Sequence, residues 1–147
     1  MERHSLSVSD VREFAARAMR EEIIDYLNLA VWDYRKQAQE APFQGHSLVS
    51  IFTELSRSSD RFGVSGQIMR ARKATSVLEA GCDFVVVGKA AILDPNFPRR
   101  AEENPEYHAP ALPVTEDFLR ESGLSENFID YMRTWEGFVA TAPRPKY

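Results

Sequence analysis

The chain has 147 residues, of which 44% are hydrophobic, enough for one ordinary domain around one apolar core. Its formal net charge of −4 gives no general electrostatic reason to expect a nucleic acid or an anionic membrane as partner. The single cysteine excludes an internal disulfide, and neither a membrane-spanning run nor a secretory signal is recognisable, so we expect a soluble, cytoplasmic protein.

The first part of the chain predicts a helix followed closely by a strand. Ser7 and Asp10 have the spacing of a capping box, and apolar residues then recur at helical spacing, which predicts a helix over residues 9–22. The apolar run at residues 23–29 is predicted as the first strand.

A long segment without clear periodicity, residues 30–46, comes next. Loops of this length in a compact domain are often functional. A solvated surface loop held by an anchored Trp32 is the other interpretation, and the sequence leaves both open.

From residue 47 onward helices and strands alternate. The predicted elements are a helix over 48–55, a strand over 62–65, a helix over 69–80 and a strand over 83–87. Ser47 is placed to cap the first of these helices, and Gly81 is placed at the C′ position of the second. This alternation predicts an α/β fold of parallel βαβ units.

The third strand, Phe84-Val85-Val86-Val87, is apolar on both faces, which is typical of a strand buried on both sides in a parallel sheet. It ends at Gly88 and Lys89. A glycine lets the backbone approach a ligand, and the amides that follow, with the lysine ammonium, suit a phosphate. The second strand also ends at a glycine, Gly66. A plain strand end with a solvated lysine is the alternative.

The rest of the chain predicts short helices around a proline-rich crossing. A turn at Asp94-Pro95 is followed by predicted helices over 96–103, 116–121 and 126–135, with an extended crossing over 104–114 and a frayed end over 141–147. Cys82 is expected to be a buried, inert thiol, His46 and His108 are expected at the surface, and no residues have metal-ligand spacing.

Several of these residues follow one another in a characteristic order. The series is Gly66, then Ala80-Gly81, Asp83, Gly88-Lys89 and Asp94-Pro95, and later Trp135-Glu136-Gly137-Phe138. It resembles the C-terminal part of the Old Yellow Enzyme family of NADH:flavin oxidoreductases, in which a Gly-Arg pair follows the strand. The resemblance covers roughly residues 7–140 and is strongest over 65–98.

The resemblance implies a partial (β/α)8 TIM barrel. Its three parallel strands would be the sixth to eighth of the barrel, with flanking helices. Residues 1–103 would form the C-terminal (β/α) units, and residues 104–147 a proline-rich crossing and helical tail packed on them. Such enzymes bind FMN, reduce it with NADH or NADPH, and pass a hydride to a small electron-poor alkene. The loops after strands seven and eight commonly hold the phosphate. By this implication, the cofactor-binding residues are Ser65, Gly66, Gln67, Gly88 and Lys89.

Three departures from the family pattern limit what is carried over. Lys89 stands where the family has arginine, and Ser65-Gly66 stands where it often has two glycines. A barrel needs roughly 250 residues, and the segments with the family's substrate-binding His pair and tyrosine proton donor are not found. Catalytic residues are therefore unknown, and we expect a truncation, a split subunit or a fragment.

Two other functions stay open. One is a non-catalytic truncated module that binds a phosphate ligand or a partner chain without turnover, and the other is a different phosphate-binding barrel enzyme. Because a short open parallel sheet has two unprotected edges, a homo-oligomer or a complementing N-terminal chain is expected as partner.

Overall fold

The computed structural model describes residues 6–140, so the predicted frayed end at 141–147 lies outside the described residues. In chain order the elements are α1 (Val8–Arg20), β1 (Tyr26–Ala30), α2 (Leu48–Thr53), β2 (Arg61–Ser65), α3 (Ala71–Glu79), β3 (Phe84–Val86), α4 (Lys89–Leu93), α5 (Phe97–Glu103), α6 (Glu116–Glu121) and α7 (Glu126–Arg133). No helix within residues 6–140 is long and apolar enough to cross a bilayer.

The three strands form one parallel sheet in the order β1-β2-β3. Val64 in the central strand pairs with Leu29 on one side and with Val85 on the other. Helix α2 lies in the connection from β1 to β2, and α3 lies in the connection from β2 to β3. The predicted mixed α/β fold with three parallel strands is confirmed.

One face of the sheet forms the main core. Side chains alternate between the faces of a strand, so Phe62 and Val64 point to the same side of β2. Both are fully buried and pack in one cluster with Met19 of α1, Phe52 of α2 and Val77 of α3. This burial of apolar side chains holds the helices to the sheet.

The opposite face of the sheet is partly open. Tyr26 is 63% exposed and Val86 is 38% exposed. The prediction that the third strand is buried on both sides is therefore wrong, because its apolar sequence fits burial but does not supply an element to cover this face. On the same face the Asn28 Oδ1 atom is buried without a hydrogen-bond partner within residues 6–140.

The segment after α5 crosses over the start of α3. The Ala71 amide donates to the Tyr107 carbonyl at 2.8 Å, and the Ala109 amide donates to the Met69 carbonyl at 2.9 Å. A second apolar cluster then joins the tail to α4 through Leu93. Its buried members are Leu93, Val114, Leu119, Ile129, Met132 and Phe138.

Local signals at the helix ends were partly correct. The capping box of Ser7 and Asp10 is present, and Gly81 follows the α3 cap with a φ of +97°. Ser47 occupies the N-cap position of α2, as predicted, but its side chain makes no capping hydrogen bond. The predicted start of the first strand at residue 23 is wrong, since pairing with β2 begins only at Tyr26.

Candidate functional site

The candidate site lies where β2 and β3 end. Adjacent parallel strands bring their carboxyl ends to the same edge of a sheet, which is where α/β proteins commonly bind ligands. Ser65, Gly66 and Gln67 follow β2, Gly88 and Lys89 follow β3, and all five line one cavity of about 210 Å³. The structure thus brings together the full set of residues that the sequence predicted.

The two glycines of the cavity differ in what surrounds them. A Cβ added to Gly88 would meet no atom within 4 Å, so the backbone there is open to approach. A Cβ added to Gly66 would lie 2.5 Å from the Val31 carbonyl oxygen and 2.9 Å from the Tyr34 amide nitrogen. Gly66 is therefore required by the loop after β1, which packs against it, whatever binds in the cavity.

Backbone amides at both strand ends are available as donors. Within residues 6–140, the amides of Gln67, Gly88 and Lys89 donate to no protein acceptor. Gln67 has a φ of +51°, a conformation that is uncommon for a residue with a side chain. Unpartnered amides grouped at one concave edge suit an anion with several oxygens.

Lys89 provides the positive charge of the site. Its Nζ atom lies 5.6 Å from the ring centroid of Trp32 and 5.7 Å from that of Trp135. No carboxylate within residues 6–140 lies within 4.0 Å of this ammonium group. The charge is thus supported by two aromatic rings and is not neutralised by an ion pair.

Comparison with protein-family models and with curated proteins gives no match to this chain. The interpretation of the cavity therefore depends on its own residues and their geometry.

The loop after β1 is fixed against the end of β2. The Val31 amide donates to the Ser65 carbonyl at 3.1 Å, and the Tyr34 hydroxyl forms a hydrogen bond with Ser76 Oγ at 3.2 Å. Trp32, by contrast, is 77% exposed, so it does not anchor the loop. The anchoring tryptophan of the surface-loop interpretation is wrong, and Tyr34 makes the contact that holds the loop.

An ion pair between Asp33 and Arg35 stabilises the same loop. Arg35 Nη2 lies 2.6 Å from Asp33 Oδ2, and the Arg35 backbone amide also donates to Asp33 Oδ1 at 2.9 Å. The hydrogen bonds from Arg35 lower the pKa of Asp33 to about 2. Neither residue lines the cavity, so the pair stabilises the loop and does not contact a ligand there.

Other residues considered from the sequence lie elsewhere. His46 and His108 are exposed, as predicted, and do not line the cavity. Cys82 is buried, and this burial raises the pKa of its thiol, which keeps it protonated and unreactive.

Sequence reasoning missed the two tryptophans of the site. Trp32 follows β1 by two residues, and this placement at the carboxyl edge of the sheet was the available signal. Trp135 is the last residue of the helix predicted over 126–135. No local pattern indicates that a residue so far along the chain reaches Lys89.

Proposed function

We propose that this chain is the phosphate-binding portion of an FMN-dependent NAD(P)H:flavin oxidoreductase of the ene-reductase type. The observation that carries the proposal is the convergence of Ser65, Gly66, Gln67, Gly88 and Lys89 on one cavity at adjacent strand ends. When bound, the flavin would supply hydride transfer from NADH or NADPH to an electron-poor alkene.

The size of the cavity supports binding of the headgroup of such a cofactor. Ligand pockets that enclose a whole drug-sized molecule measure about 300–1,000 Å³, and this cavity measures about 210 Å³. It is therefore large enough for a phosphate group but not for an entire flavin mononucleotide. The open backbone at Gly88 and the uncompensated charge of Lys89 match a dianionic group.

Each predicted residue has a role in this proposal. The amides of Gln67, Gly88 and Lys89 would donate hydrogen bonds to phosphate oxygens, and Lys89 would also offset their charge. A lysine is a compact point charge, whereas arginine offers a two-pronged fork. The Lys89 ammonium would therefore attract the phosphate without fixing its orientation, which would be left to the backbone amides.

The fold proposal follows from the partly open sheet face. We propose that the three strands are part of a (β/α)8 barrel, in which this face would line the barrel interior. Parallel sheets are normally covered on both faces. The exposure of Tyr26 and Val86 supports a further covering element, supplied by another chain or by a second copy. Light scattering on the purified protein should then show an assembly, and a stable monomer would contradict this.

The test of phosphate recognition compares three ligands by their effect on fluorescence. FMN, riboflavin and inorganic phosphate are titrated into the purified protein. If the site recognises the phosphate, FMN binds at least about tenfold more tightly than riboflavin, which is about 1.4 kcal/mol. Inorganic phosphate should compete with FMN. Equal affinity for FMN and riboflavin, or no binding of either, would overturn the proposal.

Matched variants then locate the site. Lys89→Gln removes the charge and should weaken FMN binding by about tenfold to about a hundredfold, because charge-assisted hydrogen bonds contribute about 1.5–3 kcal/mol. Lys36→Gln is the control, since Lys36 is exposed and does not line the cavity. Gly88→Ala places a methyl group where the ligand would approach and should also weaken binding.

A non-catalytic binding module is the second candidate. It is favoured by one observation: the exposed His46 and His108 do not line the cavity. An assay for oxidation of NADH or NADPH in the presence of FMN and an electron-poor alkene distinguishes the oxidoreductase from the binding module. FMN binding without turnover would favour the binding module.

A further inference from the structure

We infer that Trp32 and Trp135 are positioning residues that hold the Lys89 ammonium over the anion cavity. This inference depends on the proposed phosphate-binding function of the same site. The loop after β1 and the C-terminal tail would then both belong to the site. The residues at the strand ends do not by themselves predict this.

The geometry places the ammonium group near two aromatic rings. Both ring centroids lie within about 6 Å of Nζ, the range in which a cation is attracted to the face of an aromatic ring. Tryptophan is the strongest of the aromatic partners for a cation. Both rings also line the cavity itself.

The chemical nature of the support matters for binding an anion. A carboxylate beside Lys89 would hold the side chain but would also cancel its charge and repel a phosphate. Aromatic rings attract the cation through their quadrupole and carry no net charge. The two tryptophans can therefore restrict Lys89 while its full positive charge stays available.

Restricting this side chain should strengthen binding. A free lysine side chain has considerable rotamer entropy, part of which is lost when it contacts a ligand. Trp135 is well placed to limit that freedom, because its own ring packs edge-on against Phe138 and Tyr131, with centroids 6.3 Å and 5.9 Å away. Trp32 has more freedom, being largely exposed.

The chain contains only two tryptophans, and both contact Lys89. Tryptophan emission therefore reports on this site alone, and binding of inorganic phosphate or FMN should change it. The substitutions Trp32→Phe and Trp32→Leu form a graded series at a solvent-exposed position, where folding should be unaffected. Trp135→Phe and Trp135→Leu form the second series.

Affinity for FMN, measured by calorimetry, should fall in the order Trp, Phe, Leu at both positions. A cation–π contact at an exposed site contributes about 0.5–1 kcal/mol, which corresponds to a loss of about two- to fivefold for each leucine variant. Phenylalanine should restore part of this loss. In a Lys89→Gln background the leucine substitutions should cause no further loss, since there is no cation left to position.

The outcomes separate this inference from the proposed function. If the unmodified protein binds FMN no better than riboflavin, the phosphate site itself is wrong, and the inference is overturned with it. If FMN is preferred but Trp32→Leu binds it unchanged, only the inference is overturned. Equal losses from Trp32→Leu with and without Lys89 would also overturn it, because the ring would then act by a route other than Lys89.

Discussion

Gly63 in the central strand lies directly under the ring of Phe84 in β3. A Cβ at position 63 would come within 2.5 Å of Phe84 Cδ2 and 2.6 Å of its Cζ. The same ring makes an edge-on contact with Tyr26 across the sheet, at a centroid distance of 5.7 Å. The absence of a side chain at position 63 thus lets an aromatic pair span the open face of the sheet.

The substitution Gly63→Ala should destabilise the protein by about 1–3 kcal/mol, the usual cost of overpacking. The added methyl group would push the Phe84 ring away from Tyr26. Urea denaturation followed by circular dichroism measures the effect. The Phe84→Ala background is the control, and there the cost of Gly63→Ala should nearly vanish. If Gly63→Ala lowered the free energy of unfolding equally in both backgrounds, contact with the Phe84 ring would not be the reason for glycine at position 63.

The substitution Gly66→Ala should be more damaging, at about 2–4 kcal/mol, because it combines backbone strain with a steric clash. Gly66 has a φ of +150°, and the two atoms nearest to an added Cβ are backbone atoms, the Val31 carbonyl oxygen and the Tyr34 amide nitrogen. Backbone atoms fixed in a loop cannot turn aside as the end of a side chain can. Thermal denaturation measures the loss.

Gly88→Ala is the matched control for that substitution. Its Cβ would meet nothing within 4 Å, so the stability change should stay within about 0.5 kcal/mol. If both alanine variants lost stability equally, the contrast drawn between the two glycines would be wrong.

The strand-end residues could be predicted because local pattern and topology agree. Apolar runs that end at Gly66 and Gly88, separated by one helix, predict neighbouring parallel strands, and such strands necessarily end at one edge. The sequence could not predict why a glycine is needed at each of these two positions. The backbone that packs against Gly66 comes from the loop after β1, whose path has no periodic signal.

The tail shows where sequence periodicity misleads. Trp135 follows Met132 at helical spacing, and the sequence predicts a helix that extends to residue 135, but α7 ends at Arg133. Beyond the helix end its ring lies against Lys89 and remains 38% exposed. Leu78 likewise follows the buried Val77 in α3 but is 46% exposed.

Asp94 is a buried carboxylate that ties the end of α4 to the crossing segment. It is only 8% exposed, accepts a hydrogen bond from the Tyr107 hydroxyl, and accepts another from the Asn96 amide at 3.0 Å. Arg100 also forms an ion pair with Asp94, with 3.1 Å between Arg100 Nε and Asp94 Oδ2, but the Arg100 side chain is half exposed. The hydrogen bonds, and not the ion pair, should therefore dominate the stability contributed here.

Asp94→Asn should accordingly cost about 1.5–3 kcal/mol, the range for hydrogen bonds to a charged group. Arg100→Gln is the matched control and should cost no more than about 1 kcal/mol. Chemical denaturation of the two variants gives the comparison. A larger loss for Arg100→Gln than for Asp94→Asn would mean that the ion pair is the main contribution.

The environment of Tyr107 leads us to expect that the folded protein loses stability at alkaline pH. Burial, together with the hydrogen bond that it donates to Asp94 and the nearby carboxylate charge, raises the pKa of Tyr107 above its ordinary value of 10.0. The folded protein therefore keeps a proton that the unfolded chain releases above about pH 10. The stabilisation is fully present below that pH and is lost as the pH rises through the folded-state pKa.

Tyr107→Phe isolates this effect from the other tyrosines. The free energy of unfolding of both proteins is measured by urea denaturation from about pH 9 to about pH 11. The advantage of the unmodified protein over the variant should shrink over this range, because the unmodified protein must keep the phenol protonated or lose the hydrogen bond to Asp94. A difference that stays constant with pH would show that the proton on Tyr107 does not contribute to folding.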